Sequence, residues 1–241
     1  MNGSAGRVLV EARGVTRILP GIVPVTLVHD VDLQIGDNEF LAITGPSGSG
    51  KSSLLYLLGL LDMPTTGEVV INGRATSHMD EDERAMTRLA TLGFVFQFHF
   101  LLPEFTALEN VMLPMRALGA LSAAGMRARG EMLLESLGLA EHMGKRPDQM
   151  SGGQRQRVAV ARSLANEPPV ILADEPTGSL DSQSSEQVFR MLRDLVDIRK
   201  KTVVAVTHDL DLAARMDRRV HLMDGAIVSV TSRPAIPAAP A

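Results

Sequence analysis

The sequence predicts an α/β fold: a parallel sheet with crossover helices, an antiparallel β layer laid on it, and a helical insert between the two halves of the core. Three observations carry this expectation. Short apolar runs rich in β-branched and aromatic residues, at Phe40–Thr44, Phe94–Phe96, Val170–Ala173 and Val203–Thr207, alternate with helical patterns, as buried parallel strands do. Two earlier segments, Val8–Val15 and Thr26–Ile35, alternate more loosely on either side of Pro24. From about Leu108 to Ala165 the apolar residues recur at helical spacing instead.

In chain order, the two loosely alternating segments predict the antiparallel layer, and Phe40–Thr44 is the first buried strand. A helix-forming run starts at Leu54, and Val69–Asn72, closed by Gly73, adds a strand. Phe94–Phe96 leads into the helical insert, where the run from Glu131 to Leu137 is ended by Gly138. After Val170–Ala173, a helix over Ser184–Arg199 places Val188, Met191, Leu192, Leu195 and Val196 on one face. Val203–Thr207 is the last of the four buried strands. The core is expected at 7–97 and 166–231 and the insert at 98–165, within one domain over 7–231. The tail at 232–241 holds three prolines among alanines and is expected to be disordered.

Composition narrows the function. Of 241 residues, 45% are apolar and 22% charged, and there is no cysteine, which excludes disulfide staples and thiolate metal sites. A formal net charge of −4 argues against a broad basic surface for nucleic acid. The longest apolar stretch, Leu54–Leu61, is interrupted by Gly59 and stops at Asp62, far short of the ~18 residues of a membrane span. Met1–Gly6 shows no secretory signal. The chain is therefore expected to be cytosolic in character and to reach a membrane only by docking.

Gly45-Pro46-Ser47-Gly48-Ser49-Gly50-Lys51-Ser52 matches G-x-x-x-x-G-K-[ST] at every fixed position, with an apolar strand before it and a helix-forming run after it. Glycines let backbone N–H groups curl around phosphates, and the following helix presents its positive end. Lys51 is suited to neutralising β- and γ-phosphate oxygens, and the Ser52 hydroxyl to ligating Mg²⁺. Residues 45–52, with the adjoining Ser53, are the candidate nucleotide-binding run.

Val170–Ala173 ends in Asp174-Glu175. The carboxyl edge of a parallel strand is where an open α/β sheet binds its ligand, so Asp174 is a candidate Mg²⁺ ligand. Glu175 is placed to take a proton from an attacking water as general base. A further segment, Ser151-Gly152-Gly153-Gln154, precedes Arg155-Gln156-Arg157 and an amphipathic run. Ser151 is a good N-cap, and the glycines bare the first N–H groups of a helix, which makes a second anion site.

Ser151–Gln154 resembles the signature motif of the ABC-type ATPases, and the other motifs follow that family in order and spacing over roughly residues 7–231. The resemblance implies a P-loop NTPase with a RecA-like core, and ATP with Mg²⁺ as cofactors. Gln97 resembles the Q-loop glutamine that senses Mg²⁺ and the attacking water. Ser179-Leu180-Asp181 resembles the D-loop, and His208 resembles the switch histidine that contacts the γ-phosphate. It implies that Glu175, His208 and Gln97 form the catalytic set. It also implies a nucleotide-dependent, head-to-tail homodimer, each ATP lying between the phosphate loop of one copy and Ser151–Gln154 and Asp181 of the other.

The resemblance implies that a cassette without a membrane span is one subunit of a transporter, and this chain is expected to dock to a separate permease at the cytoplasmic face of the inner membrane. The docking segment is expected near residues 97–111, which hold Phe98, Phe100 and Phe105 directly after Phe96, in a chain only 3% aromatic. The stretch from Gln97 to Val111 closely resembles that of the lipoprotein-releasing ATPases and of the related macrolide- and peptide-exporter ATPases, and its wording is most similar to the lipoprotein group. Phe100 departs from it, replacing a histidine common in that group. Ile18 stands where the family usually stacks an aromatic residue on adenine, so apolar contact from Ile18 and weaker base selectivity are expected. Two other family functions stay open: an ATPase acting on DNA or ribosomes, which usually carries coiled coils, zinc sites or paired domains, and a cell-wall regulator resembling a cell-division relative.

Overall fold

The computed structural model describes residues 7–232; the expected disorder at 233–241 lies outside them, and Ser232 itself ends a strand. Two sheets form the frame. The first is four-stranded and antiparallel, in the order β2 (Val25–Gly36), β1 (Val8–Leu19), β4 (Thr66–Ile71), β5 (Arg74–Ala75). The second is six-stranded, in the order β10 (Ala226–Ser232), β9 (Arg218–Met223), β3 (Phe40–Thr44), β8 (Thr202–Val206), β7 (Val170–Asp174), β6 (Leu92–Phe96). All of its pairings are parallel except the antiparallel edge pair β9–β10. Helices α1 (Lys51–Leu58), α2 (Glu81–Thr91), α3 (Ala107–Leu118), α4 (Ala123–Ser136), α5 (Gly152–Ser163), α6 (Ser182–Asp197) and α7 (Leu210–Ala214) complete the described chain.

The continuous apolar strands read as they do because both of their faces are buried. Alternate residues of β3 serve opposite cores: Phe40 and Ala42 face a cluster that includes α3, α4, α5 and α6, whereas Leu41 and Ile43 face α1 and the antiparallel sheet. Ile171 and Ala173 against Val170 and Leu172 divide β7 in the same way. The parallel sheet is thus sandwiched, and its carboxyl ends are left free at one edge.

The expected buried strands fall within one residue of β3, β7 and β8, and β6 starts two residues earlier than expected, at Leu92. Thr207 lies just outside β8, and Asp174 is the last residue of β7 rather than the first beyond it. On α6, Phe189 joins Val188, Leu192, Leu195 and Val196 in the core; its ring stacks on Phe40 at 5.6 Å. Met191 packs against that core from a half-buried position. Five elements were not foreseen: the short β5 and α7, and β9, β10 and α2. β9 and β10 carry charged and polar residues at positions that face out, and α2 has no buried residue at all. A capping box holds α2: Asp80 accepts from Glu83 N, and Glu83 accepts from Asp80 N.

Candidate functional site

The phosphate loop runs from the end of β3 into α1. Gly45 has φ +148°, and a Cβ there would stand 2.2 Å from the carbonyl oxygen of Leu222 on β9. Gly50, at φ +92°, is the N-cap of α1, and a Cβ there would meet Leu27 O of β2 at 2.1 Å. The loop is therefore wedged between both sheets, and glycine is the residue that fits. Lys51 folds back over it, donating from Nζ to Gly45 O at 2.9 Å and Pro46 O at 2.8 Å. Pro46, Ser47 and Gly48 are exposed, Ser49 is buried, and Ser52 and Ser53 are half-buried on the first turn of α1.

Asp174 sits beside that turn. Ser52 Oγ donates to its Oδ1 at 2.9 Å and the Tyr56 hydroxyl to its Oδ2 at 2.8 Å. Asp174 is only 8% exposed, and among the described residues no basic side chain pairs with it. A buried carboxylate without a cation, next to a serine hydroxyl, is a hard-oxygen donor set suited to a divalent ion whose other ligands are phosphate oxygens and water. No cluster of three or more His, Cys, Asp or Glu side chains arranged for a metal exists among the described residues. Burial, followed by the neighbouring Asp174 carboxylate, pushes the Tyr56 phenol up to about 12, so it is a donor at neutral pH.

Glu175 follows at the sheet edge with φ +47°, its N–H donating to Val206 O of β8 at 3.0 Å. This left-handed turn carries its side chain to His208, whose Nδ1 lies 2.9 Å from Glu175 Oε2. Gln97, just after β6, accepts at its carbonyl from Ser179 Oγ at 3.0 Å. Its side-chain Nε2 is so close to Gly178 that a Cβ there would approach to 3.1 Å. The structure brings Gln97, Glu175 and His208 to one edge, at the ends of three neighbouring strands.

Ser151 caps α5 through a capping box: its Oγ accepts from Gln154 N at 3.2 Å, and Gln154 Oε1 accepts from Ser151 N at 2.9 Å. Gln154 Nε2 also lies 2.8 Å from His142 Nε2. Gly153 packs so tightly on α6 that a Cβ would meet Ser184 Oγ at 2.8 Å. Asp181 caps α6, accepting from Ser184 N at 2.9 Å and Ser184 Oγ at 2.7 Å, and these bonds lower its carboxyl pKa. Helix starts at Ser151 and Asp181 thus stand side by side on the surface.

The profile of the ABC transporter family matches residues 28–178. The chain belongs to the ABC transporter family. It is an ATPase cassette of that family. It is 52% identical over 221 residues to the lipoprotein-releasing system ATP-binding protein LolD of Anaeromyxobacter dehalogenans, covering 91% of this chain and 92% of that one. It is 50% identical over 202 residues to LolD 1 of Chlorobium chlorochromatii, covering 84% and 82%. Among solved structures it resembles the dimeric post-hydrolysis state of the ATP-binding cassette MJ0796 bound to ADP and Pi, with a TM-score of 0.87, 42% identity, and 95% of this chain and 100% of that one covered.

In this cassette Ile18 lies half-buried near the end of β1, its N–H donating to Thr65 Oγ1 at 3.0 Å. Beyond it the β1–β2 turn exposes Ile22 and Val23. In the segment after Gln97, Phe98 and Phe100 are 69% and 61% exposed, while Phe96 and Phe105 are half-buried. Beside this segment is an apolar groove of about 570 Å³ lined by Leu61, Met86, Leu89, Phe94, Phe96 and Pro114.

The sequence did not reveal the roles of several residues that support this region. His99 is buried, at φ +58°, with Nδ1 2.6 Å from Gln156 Oε1, and Gln156 Nε2 donates to Pro176 O at 2.7 Å. Arg162 donates to His99 O at 2.6 Å and Phe100 O at 2.7 Å. Fully buried Asn110 donates to Leu102 O, Phe105 O and Thr106 O and accepts from Leu102 N. Gln156 stands in the Arg155–Arg157 run and His99 and Asn110 in the expected docking segment 97–111, but the pairings of His99 with Gln156 and Arg162 join residues 57 and 63 positions apart.

Proposed function

We propose that this cassette is the ATP-hydrolysing motor subunit of a lipoprotein-releasing transporter, working as a nucleotide-dependent homodimer bound to membrane permease subunits at the cytoplasmic face of the inner membrane. Two LolD proteins at 50–52% identity support the transporter class. Dimeric structures of MJ0796, 42% identical, support the assembly. No helix among the described residues is long and apolar enough to cross a membrane, which fits a peripheral subunit. The observation that carries the chemistry is the carboxylate–imidazole pair Glu175–His208 at the strand ends.

Gly45–Ser53 would cradle the phosphates, and Lys51 would exchange its two carbonyl acceptors for β- and γ-phosphate oxygens. Ser52, Asp174 and Gln97 would hold Mg²⁺, which supplies charge neutralisation across the β- and γ-phosphates. Glu175 takes a proton from the attacking water as its oxygen bonds to the γ-phosphorus. The bond to the β-phosphate oxygen breaks, leaving ADP and phosphate. His208, beside Glu175, contacts the γ-phosphate. Ser151, Gly152, Gly153 and Gln154 offer helix N–H groups to the γ-phosphate of the second copy's nucleotide, with Asp181 adjoining. Ile18 gives the adenine an apolar contact.

The permease helix would enter the groove between α2, β6 and α3, next to residues 97–111. An apolar groove whose Phe96 meets the exposed Phe100 edge-on at 5.3 Å suits an amphipathic helix. The test is reconstitution with the permease that co-purifies with the chain: proteoliposomes should release lipoprotein only with ATP, and Lys51→Ala should abolish both nucleotide binding and release. Macrolide or peptide efflux in place of lipoprotein release would move the assignment to the exporter relatives.

A further inference from the structure

We infer that Tyr56 is a positioning residue for the cation carboxylate Asp174, an inference that rests on the nucleotide-site reading above. Asp174 has two hydroxyl partners, both on α1 and one helical turn apart: Ser52 at 2.9 Å and Tyr56 at 2.8 Å. Ser52 is itself a candidate ligand. Tyr56 is not, because its hydroxyl lies on the far oxygen, Oδ2. Its bond fixes the rotation of the carboxylate about its last torsion, so that Oδ1, the oxygen on the Ser52 side, faces the phosphate loop.

The ring is held in turn. Tyr56 is half-buried and meets Phe96 edge-on at 6.4 Å and 64°. Phe96 stacks on Phe94 at 5.9 Å, and the Phe94 ring lies against Gly59, where a Cβ would approach to 2.7 Å. The Tyr56 carbonyl accepts from Leu61 N at 2.9 Å, which closes the end of α1. A phenol packed so closely keeps its oxygen in one place, which is what an outer partner of a metal ligand must do. Phenylalanine at this position keeps the packing and removes only the bond.

The experiment titrates Mn²⁺, in place of Mg²⁺, into full-length protein saturated with ATP, reading bound Mn²⁺ by electron paramagnetic resonance. Glu175→Gln is present throughout to prevent turnover. Tyr56→Phe should weaken Mn²⁺ binding about tenfold while leaving metal-free ATP binding unchanged; Asp174→Asn is run in parallel. If Asp174→Asn lowers Mn²⁺ affinity and Tyr56→Phe does not, the role of Tyr56 is overturned and the site reading stands. If Asp174→Asn also binds Mn²⁺ as tightly as the parent, the cation assignment fails and the role of Tyr56 with it. A melting curve without metal checks that each variant is folded.

Discussion

Nδ1 of His208 lies 2.9 Å from Oε2 of Glu175, joining the residue after β7 to the residue two places beyond β8. The carboxylate is the more enclosed partner, with its side chain 17% exposed against 71% for the imidazole. Positive φ at Glu175 aims the side chain out of the strand line toward the histidine, a backbone state that non-glycine residues adopt at a cost of about 1 kcal/mol or more.

In the proposed role of base, a carboxylate held there by backbone and histidine needs no further reorganisation. Glu175→Gln removes the proton acceptor and keeps the shape. Phosphate release should fall at least about 100-fold, while ATP binding and dimer formation persist. Radiolabelled nucleotide binding and size-exclusion chromatography with ATP check both halves of this outcome; turnover at the parental rate would remove Glu175 from the role of base.

Two glycines of the phosphate loop should respond differently to the same change. Gly45→Ala drives a methyl into Leu222 O, a rigid backbone atom 2.2 Å from the new carbon, so the variant should fail to fold or lose nucleotide binding. Gly48, at φ +79°, has open space around it, and Gly48→Ala should cost only the left-handed strain of about 1 kcal/mol. Thermal melts with and without ATP separate the two.

Burial first, and then the neighbouring Arg155 and Arg162 charges, hold the His99 pKa below 6.5, against the raising effect of its bond to Gln156. In the unfolded chain the ring takes up a proton near pH 6.5. Between 6.5 and the lower folded value the unfolded state therefore binds more protons. Stability should then be complete above pH 6.5 and fall as pH drops through that window. His99→Asn, which keeps a polar partner for Gln156, should flatten this part of the pH profile. Urea denaturation midpoints measured across the window read the difference.

In the proposed base site, Ile18 offers an apolar surface without a π face. Aromatic contacts are worth about 0.5–1.5 kcal/mol beyond their area, so the preference for ATP over GTP should stay within about tenfold. Ile18→Tyr should increase it severalfold. Competition between the two nucleotides for the Glu175→Gln variant gives the ratio directly; a large ATP preference in the parent chain would show that Ile18 does not define the base site.

The phosphate loop, the acidic pair and Ser151–Gln154 were legible because each is local: a few consecutive residues set the turn, the cap and the chemistry. The buried strands were legible because both of their faces are apolar. α2 was hidden because its stability comes from capping and surface pairs such as Arg84–Glu81 rather than from a buried stripe. β9 and β10 were hidden because strand β9 begins Arg218-Arg219 and β10 exposes five of its seven residues.

The same division holds at the site. Residue order alone determined the fold class, the phosphate-binding run and the candidate base, since short-range geometry and burial of apolar runs act on neighbours in the chain. Only the folded chain decided that Tyr56 on α1 meets Asp174, 118 positions away, and that Asn110 and Arg162 pin the segment after Gln97. Such pairings depend on which helix lies over which strand, and that is set by how the two cores fill on either side of the parallel sheet.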